Sequence, residues 1–279
     1  MNSSNKEKIY HHSSHWGAFD AVVEDGKLTG VKPFKKDPSP SPILDSIPNA
    51  IYGKTRVSSP MVRSGWLEKG PEKSKANRGE EPFVPISWDI AIELISDELK
   101  RVKKDYGNES IFAGSYGWAS AGKFHNAKGL LKRFFNLFGG FTDQKLTYSI
   151  SAGYAITPYL VGTNSVCSSE TTSWDSIVEN TELMVLFGGI PVKNNQVING
   201  GVAEHSTEEW LKKAKEKGIE FINISPLRSD IPEFTDAKWL QIRPNSDTAL
   251  MLALAHTIVT QNLHNKNFLE KNCSGYDKF

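Results

Sequence analysis

The chain has 279 residues, enough for about two domains of roughly 100–200 residues each, and its 38% hydrophobic and 23% charged residues describe an ordinary globular protein. Lys and Arg number 33 against 32 Asp and Glu, and this net charge of +1 gives no general attraction to nucleic acid or to an anionic membrane. The only two cysteines, Cys167 and Cys273, exclude a disulfide scaffold, a CxxC zinc ribbon and a four-cysteine iron–sulfur cluster held by this chain alone.

Met1 to Tyr10 has neither an apolar leader core nor a twin arginine. The longest apolar run, Ala249 to Ala255, falls far short of the ~20 residues a membrane-spanning helix needs. A soluble chain with no membrane span is expected, cytoplasmic as written and periplasmic only if a twin-arginine signal has been lost.

In chain order, Phe19–Glu24 and Lys27–Val31 flank Asp25-Gly26, a strong two-residue hairpin signal. Asp37-Pro-Ser-Pro-Ser-Pro42 is too rich in ring-locked φ angles for a helix or central strand and predicts an extended connection. Residues 67–82 predict a polar surface loop. The apolar period then changes from two to 3.6: Ser87 caps a helix with Ile90, Ala91, Leu94, Ile95, Leu99 and Val102 on one face, stopped by Gly107. A short strand at Ser110–Gly114, a loop at 115–122 and a helix from about Lys123 to Phe138 follow. Leu183–Phe187 predicts a buried parallel strand, Ser206–Glu209 a capping box, Phe221–Ser225 and Trp239–Ile242 two more strands, and Asp247 to about Thr260 an apolar helix.

Strands alternating with helices predict a parallel sheet covered on both faces, with its ligand site beyond the carboxyl ends of the strands. The loops at 115–122, 188–196, 225–229 and 243–247 are therefore the candidates. No GxGxxG follows a strand and no GxxxxGK[ST] occurs, so a nicotinamide or P-loop reading has no local support. Ser149-Ile-Ser-Ala-Gly153 only approximates a nucleophile elbow, with serine where the first glycine belongs. His11, His12 and His15 lack a metal-ligand spacing. Glycines, short polar residues, Lys193 and Arg228 at strand ends suit a phosphate-bearing ligand, although glycines of this kind also simply form turns.

Several stretches, in this order, carry a family resemblance. They are Ser14-His-Trp-Gly17, Arg56-Val-Ser-Ser-Pro-Met-Val-Arg63, Gly114-Ser-Tyr-Gly-Trp118, Tyr148-Ser149 with Pro158–Gly162, and Val178–Glu182. Ser225-Pro-Leu-Arg-Ser229, Asp247–Met251 with Ala255-His-Thr257, and Gly275–Phe279 continue the series. Together they resemble the dimethyl sulfoxide reductase family of molybdopterin enzymes, in the branch that reduces sulfoxides and amine N-oxides and lacks an N-terminal iron–sulfur cluster.

The resemblance implies molybdenum held by bis(molybdopterin guanine dinucleotide), with Ser149 as the protein ligand to the metal. Ser151 competes for that role, but Tyr148 favours Ser149. A hard alkoxide oxygen suits the higher oxidation state better than a thiolate would. Tyr116 and Trp118, with Gly117 between them, match the substrate-pocket loop, and their O–H and N–H donors would face the transferred oxygen. Lys193, Asn194, Asn195 and Gln196, then Ser225, Pro226, Arg228 and Ser229, then Asn245, Ser246 and Asp247 match segments that hold one dinucleotide half. Ser225 stands where the family has an acidic or amide residue for the ribose hydroxyls.

The implied fold is α/β, with parallel-sheet, Rossmann-like nucleotide-binding layers and a β-rich N-terminal segment, as an incomplete version of a larger fold. The expected divisions are a β-rich segment at 1–60, part of a cofactor-binding domain at 61–165 and a dinucleotide-binding domain at 166–279. The implied reaction is oxygen-atom transfer from an S-oxide or N-oxide, with electrons from a cytochrome or thioredoxin-like donor. Family members are far longer, so the alternative is an inactive N-terminal piece that needs its C-terminal portion to hold the cofactor; a third reading is a stand-alone guanine-nucleotide module.

Overall fold

The computed structural model describes residues 7–73, 79–114, 126–147, 149–167 and 171–278. Its backbone contacts separate two compact units, Met1–Thr171 with Asn195–Ser206, and Thr172–Asn194 with Thr207–Phe279. The architecture is mixed α/β with small sheets.

The first unit opens with an antiparallel sheet of β1 (Lys8–Ser14), β2 (Gly17–Glu24) and β3 (Lys27–Pro33), in that order. The expected hairpin is present: Asp25 and Gly26 both take positive φ, 48° and 78°, as a type I′ turn requires. Alternation along β2 buries Phe19 and Ala21 against Leu44, which is fully buried. Leu44 lies in a 3-10 turn, Pro42–Ser46, that runs into α1 (Ile47–Tyr52). The hydroxyl of Tyr52 accepts the Leu28 amide at 2.9 Å and ties this cover to the sheet.

β4 (Met61–Arg63) and β5 (Phe83–Pro85) form an antiparallel pair flanking α2 (Ser64–Lys73). The expected loop at 67–82 is thus helical in its first part. The helix kinks at Gly70, so Pro71 opens the second segment, where its missing N–H costs nothing. Glu81 anchors the first segment, accepting the Gly65 amide at 2.7 Å and pairing with Arg63 at 2.9 Å.

α3 (Trp88–Tyr106) starts as expected, with the Ser87 hydroxyl accepting the Ile90 amide at 3.2 Å. Of its apolar face only Ala91 is buried. Instead of the expected strand at 110–114 there is one parallel bridge, Phe112 to Thr142, made of the Ala113 to Thr142 and Thr142 to Ile111 bonds. A 3-10 turn at Asn108–Ser110 occupies the start of that stretch. α4 (Ala127–Phe138) is capped by Asn126, whose Oδ1 accepts the Gly129 amide at 2.8 Å, and α5 (Ser151–Val161) follows.

A buried hydrogen-bonded pair, Asp37 and His205, fastens this unit internally. Asp37 receives His205 Nδ1 at 2.6 Å on one oxygen and the amides of His205 and Ser39 on the other. Both side chains are almost fully buried. Gln196 donates to the Ser39 carbonyl at 3.0 Å and to its hydroxyl at 3.1 Å, binding the segment 195–206 to the same proline-rich stretch.

The second unit contains α6 (Trp174–Asn180), β6 (Leu183–Phe187), α7 (Val192–Asn195, whose last residue belongs to the first unit), α8 (Thr207–Glu216), β7 (Glu220–Ile224), β8 (Lys238–Leu240), α9 (Asp247–Thr260) and α10 (Lys266–Asn272). β6, β7 and β8 form a parallel sheet in that order. Leu211 and Ala214 of α8, both fully buried, pack with Ile219, Phe221 and Ile231, and Trp174 and Met184 close the cluster. The expected cover on both faces is not present along β6, where Leu183, Val185 and Phe187 remain exposed opposite the packed Met184 and Leu186. α9 likewise buries none of its residues.

Asp37 accepts from the His205 ring and from the amides of His205 and Ser39, so Asp37→Ala leaves buried donors without their acceptor and is expected to destabilise the first unit by at least about 1–3 kcal/mol. Leu211→Ala empties a fully buried site in the second unit and is expected to cost about 2–5 kcal/mol. Urea unfolding, compared as midpoint shifts at an unchanged slope, checks both.

Candidate functional site

The expected site loops of the second unit lie where a parallel sheet presents them, beyond the carboxyl ends of its strands. β6 runs out into Gly188-Gly189-Ile190-Pro191, and α7 carries Lys193 immediately afterwards. β7 runs out into Ser225, then four exposed residues, Pro226 to Ser229, then Asp230 and the buried Ile231.

Two pockets follow from this arrangement. Lys193 and Ser229 line one of about 530 Å³, together with Pro191, Val192, Glu208, Pro232 and Phe234. Arg228 and Ser229 line another of about 620 Å³ that includes Pro232, Asp236 and Trp239. Ser229 and Pro232 belong to both walls. Among the described residues neither Lys193 nor Arg228 has a carboxylate within 4.0 Å, whereas Glu208 is held by Lys212 at 2.8 Å and Asp236 by Lys215 at 3.7 Å. The basic groups are thus available to an external anion; of the acidic ones Glu208 and Asp236 are paired, while Glu233 stands in the wall beside Arg228 and Ser229 with no cation within 4.0 Å among the described residues.

Ser225 is not in either wall. It is fully buried, its hydroxyl donates to the Asp230 carboxylate and accepts the Leu227 amide at 3.2 Å, and its carbonyl accepts Trp239 Nε1 at 2.9 Å. A side chain committed in this way has no hydroxyl to offer a ribose. Gln196 likewise points at Ser39 and Pro40 within the first unit. Asn194 is exposed and Asn195 half-buried at the division between the units. Pro226 is exposed on the loop after β7.

Asn245, Ser246 and Asp247 form the turn into α9. Asn245 takes a left-handed φ of 67°, the Ser246 hydroxyl donates to the Arg243 carbonyl, and Asp247 is half-buried in the first helical turn. None of the three lines the two pockets.

In the first unit Ser149 is exposed in the turn before α5. Ser151, its competitor for the metal, is committed to the backbone, accepting the Thr147 amide at 2.9 Å and donating to the Thr147 carbonyl. Tyr116, Gly117, Trp118 and Tyr148 lie outside the described residues.

Residues 56–270 match the family described as molybdopterin oxidoreductase, and residues 12–52 match the molybdopterin oxidoreductase N-terminal domain. The chain belongs to the molybdopterin oxidoreductase family. Over 250 residues it is 43% identical to the biotin sulfoxide reductase of Cereibacter sphaeroides, covering 90% of this chain and 34% of that protein. It is 42% identical over 266 residues to the dimethyl sulfoxide/trimethylamine N-oxide reductase of Rhodobacter capsulatus, covering 95% of this chain and 32% of the relative. The trimethylamine-N-oxide reductase of Haemophilus influenzae is 37% identical over 271 residues, 96% of this chain and 32% of its own length. The chain therefore spans about a third of the length of these relatives.

Membership implies a molybdenum–molybdopterin cofactor. The donor set fits the phosphate-bearing part of such a group: an ammonium, a guanidinium and a hydroxyl converge on adjoining pockets, and the two cations have no internal partners among the described residues. The sequence did not expose the junction that sets this convergence. The Asp230 carbonyl accepts the Ile190 amide at 2.7 Å, and a Cβ built on Gly189 would lie 2.2 Å from that same oxygen. Gly189 also takes a φ of 75°, so glycine is required there twice over. The visible signal was the Gly188-Gly189 pair after a strand; its partner 41 residues on is a tertiary fact.

Gly189→Ala is expected to displace the loop after β6. Thermal unfolding of the variant should begin several degrees lower, given a cost of at least about 1–3 kcal/mol for a strained backbone.

Proposed function

We propose that this chain holds the cofactor of, and acts as, a molybdenum-dependent reductase that removes oxygen from S-oxides or amine N-oxides. The observation that carries the reading is the convergence of Lys193, Arg228 and Ser229 on adjoining pockets at the ends of parallel strands, inside the family match. The sheet of the second unit is read as the start of a Rossmann-like layer, and the cofactor as bis(molybdopterin guanine dinucleotide). When bound, the cofactor supplies the two-electron couple for oxygen-atom transfer from an S–O or N–O bond.

Lys193 and Arg228 would meet its pyrophosphate, with Ser229 donating a further hydrogen bond. Asp247, half-buried and ionisable, would accept the amino and imino N–H groups of guanine. Ser149 would hold the metal; its exposure in the turn before α5 supports this. Tyr116 and Trp118 would donate to the oxide oxygen and stabilise the charge that grows on it as the bond breaks. The names of the relatives support sulfoxide and N-oxide substrates alike. The electron donor is proposed to be a cytochrome or a thioredoxin-like protein.

A second reading has its own observation. α9 is apolar on every side and buries nothing, and the relatives are about three times as long. The chain would then act only when joined to polypeptide equivalent to their remaining two thirds.

Two measurements separate these readings. The 279-residue chain, expressed with the cofactor available, is assayed for molybdenum, for visible dithiolene absorption and for viologen-driven reduction of dimethyl sulfoxide. Stoichiometric molybdenum with turnover supports the first reading, and neither metal nor turnover supports the second. In the cofactor-loaded, catalytically competent protein, Ser149→Ala is expected to abolish turnover while Ser151→Ala retains it; the reverse result would move the metal ligand to Ser151.

A further inference from the structure

We infer that Asp230 is a positioning residue that fixes the register of the two loops carrying Lys193 and Arg228–Ser229. The inference rests on the proposed role of those loops in holding a pyrophosphate, and it assigns their geometry to a residue outside both pocket walls nearest Lys193.

Asp230 makes three connections at once. Its carboxylate takes the Ser225 hydroxyl, which closes the base of the exposed stretch Pro226–Ser229. Its carbonyl takes the Ile190 amide at 2.7 Å, three residues before Lys193. Its amide reaches the Leu227 carbonyl at 3.3 Å, across the same base. The next residue, Ile231, is anchored in the core beside Phe221 and Leu211. The other end of the base, Ser225, is pinned to β8 by Trp239 Nε1.

The loop after β7 is therefore a short span closed side chain to side chain, and its closing residue is docked backbone to backbone on the loop after β6. Gly189 permits that docking because no Cβ could occupy the space. Any ligand that needs an ammonium from one loop and a hydroxyl from the other meets them at a spacing set through Asp230. A preformed spacing spares a ligand the cost of ordering the loops, which is where affinity is lost when such an anchor goes.

The probe is GDP, titrated calorimetrically into the 279-residue chain and into Ser225→Ala, Asp230→Leu and Asp230→Asn. Amide hydrogen exchange is read at Ile190 and, as an internal control, at Phe221. Ser225→Ala and Asp230→Leu each remove the closing bond and are expected to weaken GDP binding about tenfold, the equivalent of one buried hydrogen bond. They should also speed exchange at Ile190 and leave Phe221 unchanged. Asp230→Asn keeps an acceptor for the Ser225 hydroxyl and should restore both readouts. Equal acceleration at Phe221 would mean general loosening and would overturn the positioning role, as would unaltered exchange at Ile190. Unaltered GDP affinity in the two disruptive variants would overturn it as well. If the parent chain binds no GDP while Ile190 alone responds, the nucleotide reading fails and the positioning of the loops stands.

Discussion

The loops of the second unit depend on one contact, the carbonyl of Asp230 seated against the Cα of Gly189. Nothing larger than hydrogen fits there, because a Cβ would come within 2.2 Å of the oxygen. The contact makes two chain segments that leave neighbouring strands travel together before they diverge into Lys193 and Ser229. The hydrogen bond that accompanies it is worth only about 1 kcal/mol net. Its consequence is geometric: the buried Ser225 and Ile231 on either side of Asp230 leave only Pro226 to Ser229 free to meet solvent. The basic and hydroxyl groups of the pockets are displayed on a frame closed by the bonds of Asp230 to Ser225 and Ile190.

The first unit uses a polar anchor in a comparable way. Its N-terminal sheet has a small core around Phe19, Ala21 and Leu44. The segment 195–206 is held to the proline-rich stretch by Asp37, His205 and Gln196 instead of by apolar packing. Such anchors are directional, so they fix where a segment lies more sharply than a few aliphatic contacts can. They are also exacting, since loss of one partner strands the other in a site without water. In both units the residues that define loop position are acidic side chains accepting from the chain a long way off or from the other end of a turn.

Regular elements were legible where local chemistry decides them. Asp25-Gly26 dictates the hairpin, Ser87 the start of α3, and the unbroken run Leu183–Phe187 a parallel strand, because each signal lies within a few residues. The start of α2 was hidden because Gly70 and Pro71 read as loop residues, and only the bonds from Glu81, further along the chain, show why the helix before them persists. The strand expected at 110–114 reduces to one bridge because its partner is a single residue, Thr142. Of the site, Lys193, Arg228 and Ser229 could be picked as donors at strand ends. Ser225 could not be told from them, since burial is decided by Trp239 and Asp230, which its neighbours in sequence do not announce.

The same reasoning explains why the amphipathic pattern of α3 and the apolar composition of α9 misjudge burial. A periodic face states that a helix has something to cover it, without stating where the cover comes from. Ile90 and Ile95 of α3 are 44% and 60% exposed, and Met251, Leu252 and Leu254 of α9 are between 45% and 49% exposed. Helices apolar on all sides belong to the interior of a large protein, and the relatives of this chain are about three times its length. The exposed row on β6, Leu183, Val185 and Phe187, follows the same rule for a strand whose unbroken apolar run anticipates cover on two faces. These side chains suit an environment in which more than one face of the element is covered, whereas the carboxylate and carbonyl of Asp230 find their partners within the second unit.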